Sequence, residues 1–157
     1  MSRIVYVNGE YLPEADAKIS IFDRGFLMAD GVYEVTSVLD GKLVDFDGHA
    51  KRLERSLKEL DMASPVTMDE LLAIHRDLIV KNDLEEGGIY LQITRGAPAD
   101  RDFAFPDPEE TPSSLVLFTQ VRNLANAPAA QKGISVLSME GQRGARRDSQ
   151  QVAPSYP

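Results

Sequence analysis

Arg52 is the side chain with the clearest chemical potential, because it stands one turn into an amphipathic pattern between apolar positions. A guanidinium there is either a surface charge or a planar fork that grips a phosphate at two points, and pattern alone does not choose between them. Little else offers chemistry by spacing. The chain has no cysteine, which removes disulfides, thiolate nucleophiles and thiolate metal sites. Its two histidines, His49 and His75, are too few and too far apart for zinc, and each reads as structural or exposed. The paired acids Glu85-Glu86 and Glu109-Glu110 read as solvated loop charges. No nucleophile and base stand at a telling separation, and glycine-rich phosphate loops are absent.

These residues need elements to position them. RIVYVNGEYLP, residues 3–13, alternates apolar and polar positions around Asn8-Gly9, the dipeptide that supplies the positive φ of a tight hairpin turn. After a loop, VYEVTSVLDGKLVDF repeats the pattern around Asp40-Gly41. The period then changes. GHAKRLERSLKELD places Ala50, Leu53, Leu57 and Leu60 at helical spacing, with Asp47 available as a cap. TMDELLAIHRDLIVKN opens with a capping box from Thr67 to Glu70 and carries Leu71, Leu72, Leu78 and Ile79 on one stripe. GIYLQITRG, SSLVLFTQV and KGISVLSM read as three further strands, the last placing Lys132 at a strand's start. Strands, two helices and strands again make an α+β pattern.

Composition bounds the function. The 157 residues suffice for one core, and 43% apolar with 27% charged residues is ordinary for a soluble globular protein. A net charge of −8 argues against general nucleic-acid or anionic-membrane binding. No apolar run reaches the roughly 18 residues of a membrane span, so a reduced, cytoplasmic protein is the expectation. The segment GAPADRDFAFPDPEETP is long for a connection, and its Arg101 is the only base among five acids.

Three stretches, DRGFLMADGVYEV (residues 23–35), GHAKRL (48–53) and IYLQITRG (89–96), resemble the class IV aminotransferases that use pyridoxal phosphate. The similarity is nearest to the bacterial D-amino-acid aminotransferases, with motifs in the same order from Tyr6 to Asp148. The resemblance implies a fold type IV enzyme working as a homodimer, with cofactor held between two domains. Residues 1–120 then correspond to the α+β small domain, with its β-hairpins and two helices. Residues 121–157 correspond to the linker and first strands of the large domain, cut short by an aberrant tail.

Site residues follow from the same resemblance. Tyr33 matches the strand tyrosine whose hydroxyl faces the substrate carboxylate, and Val35, two residues on, points the same way. Arg52 matches the arginine that holds the cofactor phosphate. Arg101 matches the loop arginine that grips the substrate carboxylate in the neighbouring subunit. The family follows that arginine with a histidine two residues later, where this chain has Phe103, which donates no hydrogen bond.

The lysine that carries the cofactor as a Schiff base is expected two residues after an aspartate. The run Arg146-Arg147-Asp148-Ser149-Gln150 fits through Asp148 and then offers Gln150, an amide that is neither nucleophilic nor basic. No catalytic residue is therefore expected in this chain. The family function is amino transfer between an amino acid, expected to be a D-amino acid, and a 2-oxo acid. Branched-chain aminotransferases and aminodeoxychorismate lyases share the fold and cofactor. Against these stands a non-catalytic module that dimerises or binds a phosphate-bearing ligand through Arg52.

Overall fold

The computed structural model describes residues 2–137. They cluster into a compact unit through Ala125 and a second unit from Asn126 onward.

The first unit begins as the alternation requires. Strands β1 (Ile4–Val7) and β2 (Glu10–Pro13) pair antiparallel, with Tyr6 opposite Tyr11. Asn8 at φ 47° and Gly9 at φ 103° make the turn between them. Strands β3 (Gly31–Leu39) and β4 (Lys42–Leu43) close the same way around Asp40 and Gly41, at φ 49° and 67°. Positive φ at both central residues is what matches a two-residue turn to the twist of its strands.

Between the hairpins lies an element that periodicity does not reveal, helix α1 (Arg24–Met28). At five residues it is too short to show a 3.6-residue stripe, so the sequence there reads as a loop. Its start is set by the Asp23 carboxylate, which accepts from the Gly25 amide at 2.8 Å, and its end by Ala29 at φ 53°.

Helix α2 (Phe46–Glu59) and helix α3 (Met68–Lys81) follow. The capping box of α3 forms as expected: Thr67 Oγ1 accepts from the Glu70 amide, and the Glu70 carboxylate accepts from the Thr67 amide at 2.7 Å. The cap expected for α2 does not. The helix starts before Asp47, at Phe46, so Asp47 lies inside the first turn, where its charge still suits the helix dipole. Asp45 holds the cap position in a left-handed conformation and makes no side-chain cap bond.

Strands β5 (Gly87–Thr94) and β6 (Ser114–Val121) complete a six-stranded antiparallel sheet in the order β2-β1-β6-β5-β3-β4. Both long helices cover one face. Leu53 and Leu57 of α2 and Leu71, Ile74, Leu78 and Ile79 of α3 pack with Val38, Ile89, Leu91, Ile93, Leu115 and Leu117 of the sheet. His75 is buried in this layer, its Nδ1 donating to the Leu71 carbonyl at 2.8 Å and its ring edge-on to Phe46. Burial depresses its pKa to about 4, so it is a neutral core histidine.

In the second unit, helix α4 (Pro128–Lys132) begins with proline at its N-terminus, the position that tolerates a missing N–H. Lys132 therefore ends a short helix and does not begin a strand. Residues 133–137, expected in the strand KGISVLSM, form none, and Ile134, Val136 and Leu137 are exposed. A strand needs a partner to satisfy its backbone groups, and no strand among the described residues pairs with this one. The rest of that stretch lies outside the described residues. Among the described residues no helix is long and apolar enough to cross a membrane.

Candidate functional site

Strand β3 divides its side chains between two environments. Glu34, Thr36 and Val38 point toward the helices and are buried, whereas Tyr33 and Val35 point to the opposite face and are exposed. The period-two reading of Tyr33 and Val35 thus holds in the structure.

That opposite face is aromatic. Tyr33 stacks on Tyr90 of β5 at 5.9 Å between centroids, and Tyr90 stacks on Phe118 of β6 at 4.9 Å. The Arg3 guanidinium lies 5.4 Å from the Phe118 ring, extending the row. Strand register produces this ladder: Phe118 is directly opposite Tyr90, and Tyr33, opposite Gln92, is Tyr90's diagonal neighbour. Tyr90 also donates its phenol to Gln92 Oε1 at 3.0 Å. Beside the ladder is an open cavity of about 410 Å³, whose lining includes Phe26, Gln92, Val116 and Phe118.

Arg52 reaches β3 from α2. Its Nε and Nη2 donate to the two carboxylate oxygens of Glu34, each at 2.6 Å, in the parallel geometry that makes guanidinium–carboxylate pairs directional. His49, one turn earlier on the same helix, places Nδ1 2.9 Å from Glu34 Oε2. Glu34 is 6% exposed and the Arg52 side chain 55%, so one end of the pair is fixed in protein and the other faces solvent. Burial pushes the Glu34 carboxyl upward, but hydrogen bonds and charge from Arg52 and His49 outweigh it and hold the group below its ordinary range. Arg52 is correspondingly raised, first by its bonds to Glu34, with a smaller contribution from the Tyr33 phenol. Strand β4 covers β3 only at Val38 and Leu39, so among the described residues no strand closes the edge beside residues 33–35.

Arg101 and Phe103 belong elsewhere, on the loop of residues 95–113 between β5 and β6. Both are exposed, and the Arg101 guanidinium lies over the Phe103 ring at 4.7 Å from its centroid. The structure therefore brings Tyr33, Val35 and Arg52 to β3 and presents Arg101 with Phe103 on a separate loop. Gln150 lies outside the described residues. Among the described residues no cluster of histidine and acid side chains could hold a metal ion.

Glu34, His49 and Tyr90 are not singled out by sequence as parts of one site. Glu34 carries a usable signal: an acid in the core-facing register of a strand, with Thr36 and Val38, cannot stay charged without a cation from a neighbouring element. Tyr90 carries none, since an aromatic in a strand is ordinary.

Known proteins resemble the chain in both sequence and fold. Residues 31–155 match the family model of amino-transferase class IV. A D-alanine aminotransferase of Staphylococcus haemolyticus is 41% identical over 108 residues, which is 69% of this chain and 38% of that protein. Among solved structures, 4-amino-4-deoxychorismate lyase from Pseudomonas aeruginosa superposes with a TM-score of 0.63 at 27% identity, covering 83% of this chain and 44% of that one. A branched-chain amino acid aminotransferase from T.th., solved with pyridoxamine 5'-phosphate, gives 0.70 at 18% identity over 83% of this chain and 43% of its own, and shows the shared fold. The chain spans less than half the length of each of these three proteins.

Proposed function

The chain belongs to the class IV aminotransferases, and from that membership we propose that residues 1–120 are the small domain of a pyridoxal-phosphate-dependent aminotransferase whose cofactor phosphate is held by Arg52. The observation that carries this reading is the Glu34–Arg52 pair. Glu34 engages two guanidinium nitrogens and fixes the plane of the fork, while Nη1 makes no hydrogen bond among the described residues. A pre-oriented, half-exposed guanidinium loses little conformational freedom when it meets a phosphate. His49 is close enough to share the anion, at 3.3 Å from Arg52 Nη2.

On this reading Tyr33 directs its phenol at the substrate carboxylate and Val35 lines the same wall. Arg101 serves the neighbouring subunit of a homodimer. The reaction class is amino transfer between an amino acid and a 2-oxo acid. The name of the Staphylococcus haemolyticus relative favours a D-amino acid, whereas likeness to a branched-chain aminotransferase and a deoxychorismate lyase keeps those activities as alternatives. Phe103 bears on the choice, because a phenyl ring adds an apolar wall beside Arg101 and no second donor. The assignment of residues 121–157 to the start of a large cofactor-binding domain belongs to the same proposal.

These residues fit the phosphate half of the cofactor and not its aldehyde half. Position 150 carries a glutamine amide, which forms no Schiff base. That residue favours a second reading, in which the chain binds a phosphate-bearing ligand without transferring amino groups.

A thermal titration tests the proposal. Pyridoxal phosphate should raise the melting temperature of the chain with saturable dependence, pyridoxal without its phosphate should not, and Arg52→Ala should abolish the shift. Equal melting with and without pyridoxal phosphate would refute phosphate binding. Borohydride reduction of the loaded chain followed by mass measurement separates the two readings, since only the enzyme reading requires a covalently held cofactor.

A further inference from the structure

The loop of residues 95–113 has little apolar packing to hold it. Phe103 and Phe105 are 76% and 72% exposed, and between the loop and the turn at residues 60–65 lies a cavity of about 450 Å³. A connection so long and so placed would be expected to sample many conformations. Yet its ends and its middle are tied to a single corner of the molecule, the start of α1.

Asp23 ties the ends. Its side chain is buried, and Oδ2 accepts from Thr94 Oγ1 at 2.9 Å and from Ser114 Oγ at 2.7 Å. Thr94 is the last residue of β5 and Ser114 the first of β6, so one carboxylate oxygen joins the two sides of the loop's base. Its other oxygen caps α1 through the Gly25 amide. Glycine is required there, because a Cβ at residue 25 would collide with the Thr94 side chain.

Arg24 ties the middle. It is 4% exposed, and Nη1 donates to the carbonyls of Asp102 at 2.7 Å and Ala104 at 3.1 Å, the residues on either side of Phe103. Its Nε is held by Asp30 Oδ2 at 2.7 Å, and Asp30 also accepts from Arg95 Nε. Arg95 is fixed in turn by the carbonyls of Leu60 and Asp61. The Phe105 ring closes the arrangement, with the guanidinium carbons of Arg95 and Arg24 at 4.2 and 5.6 Å from its centroid. A ring so exposed is held there by the cations' attraction to its face, not by burial.

We propose that residues 23 and 24 act as an anchor that fixes the backbone on both sides of Phe103 and so presents Arg101 for recognition, making Arg24 a positioning residue and Phe105 the latch. Its consequence for catalysis rests on the reading of Arg101 as a carboxylate-gripping residue. The corner also leads directly into β3, since Asp30 immediately precedes Gly31, so the Tyr33 wall and the Arg101 loop are set by the same few residues.

Hydrogen exchange of the intact chain, followed by mass spectrometry over residues 97–113 and over β5 as a folding control, tests the anchor. Lysine keeps the charge facing Asp30 but cannot reach both carbonyls as well. Arg24→Lys should therefore speed exchange in the loop by about ten- to hundredfold and leave β5 nearly unchanged. Phe105→Leu should speed loop exchange about three- to fivefold, and Phe105→Tyr, which keeps a π face, should stay within about twofold of the original chain. The proposal is overturned if loop exchange in Arg24→Lys is unchanged, if loop and β5 accelerate together, or if leucine and tyrosine at 105 behave alike. No carboxylate enters the measurement, so an Arg101 that binds nothing would sink the substrate reading and leave the anchor standing.

Discussion

The two faces of the sheet are built from the same strands and obey different rules. Toward the helices, Val38, Ile89, Leu91, Ile93, Leu115 and Leu117 are almost fully buried and interlock with leucines of α2 and α3. On the other face, Tyr33, Val35, Tyr90 and Phe118 lie across neighbouring strands, with Tyr33 59% exposed. One face is mainly apolar, with Glu34 and Thr36 of β3 as buried polar exceptions, and packs against helices of the same chain. The other mixes aromatic, aliphatic and amide groups and stays open. Stability is therefore concentrated on the covered face, and recognition has the freedom to occupy the open one.

Truncation is the most severe way to break that contrast. Leu91→Ala removes a side chain that is 1% exposed from the middle of β5, and should cost about 2–5 kcal/mol in a denaturant titration. Val35→Ala, on the same sheet but the open face, should cost under about 1 kcal/mol. Comparable losses at the two positions would mean that something covers the open face, and the division of labour would fail.

A second contrast is chemical. The covered face contains a titratable group whose charge the fold opposes. His75 has an ordinary pKa of 6.5 when unfolded and about 4 when folded, with burial as the leading cause. Because the folded value is depressed, the neutral form is favoured by folding. Its contribution is complete above pH 6.5 and is lost as pH falls toward 4, by roughly 3 kcal/mol at most. Unfolding titrations of the chain and of His75→Gln between about pH 7 and pH 4 should diverge accordingly, the variant losing less stability across that window. Parallel curves would show that the histidine is hydrated in the folded chain.

Much of this architecture is legible in the sequence because it depends on local rules. Asn8-Gly9 and Asp40-Gly41 name their turns through positive φ, the Thr67–Glu70 pair names the start of α3, and alternation around Tyr33 names its face. The unread features depend on contacts distant in sequence. Asp23 meets Thr94 and Ser114 across 71 and 91 residues, and no local pattern marks a carboxylate that will cap a helix and staple a loop together. The short α1 has too few residues for a period. The cap of α2 is misread because Asp45 and Asp47 are both acceptable by type, and only backbone conformation separates them. At Lys132 and residues 133–137, β-prone residue types suggest a strand, but strand formation depends on a neighbour that residue types do not report.

The smallest expected effect is at Tyr33, and it separates the two roles of one residue. Its ring stacks on Tyr90, while its hydroxyl makes no hydrogen bond among the described residues. Tyr33→Phe keeps the stack and removes only the oxygen, so stability in a denaturant titration should move by less than about 0.5 kcal/mol. Tyr33→Ala removes the stack as well and should cost about 0.5–1.5 kcal/mol. If phenylalanine proves as costly as alanine, the hydroxyl has a structural partner, and its availability to a substrate carboxylate is lost. If phenylalanine is silent, the oxygen is held in the open by a ring that the sheet fixes through Tyr90. A recognition group requires that combination, and no residue on the covered face could supply it.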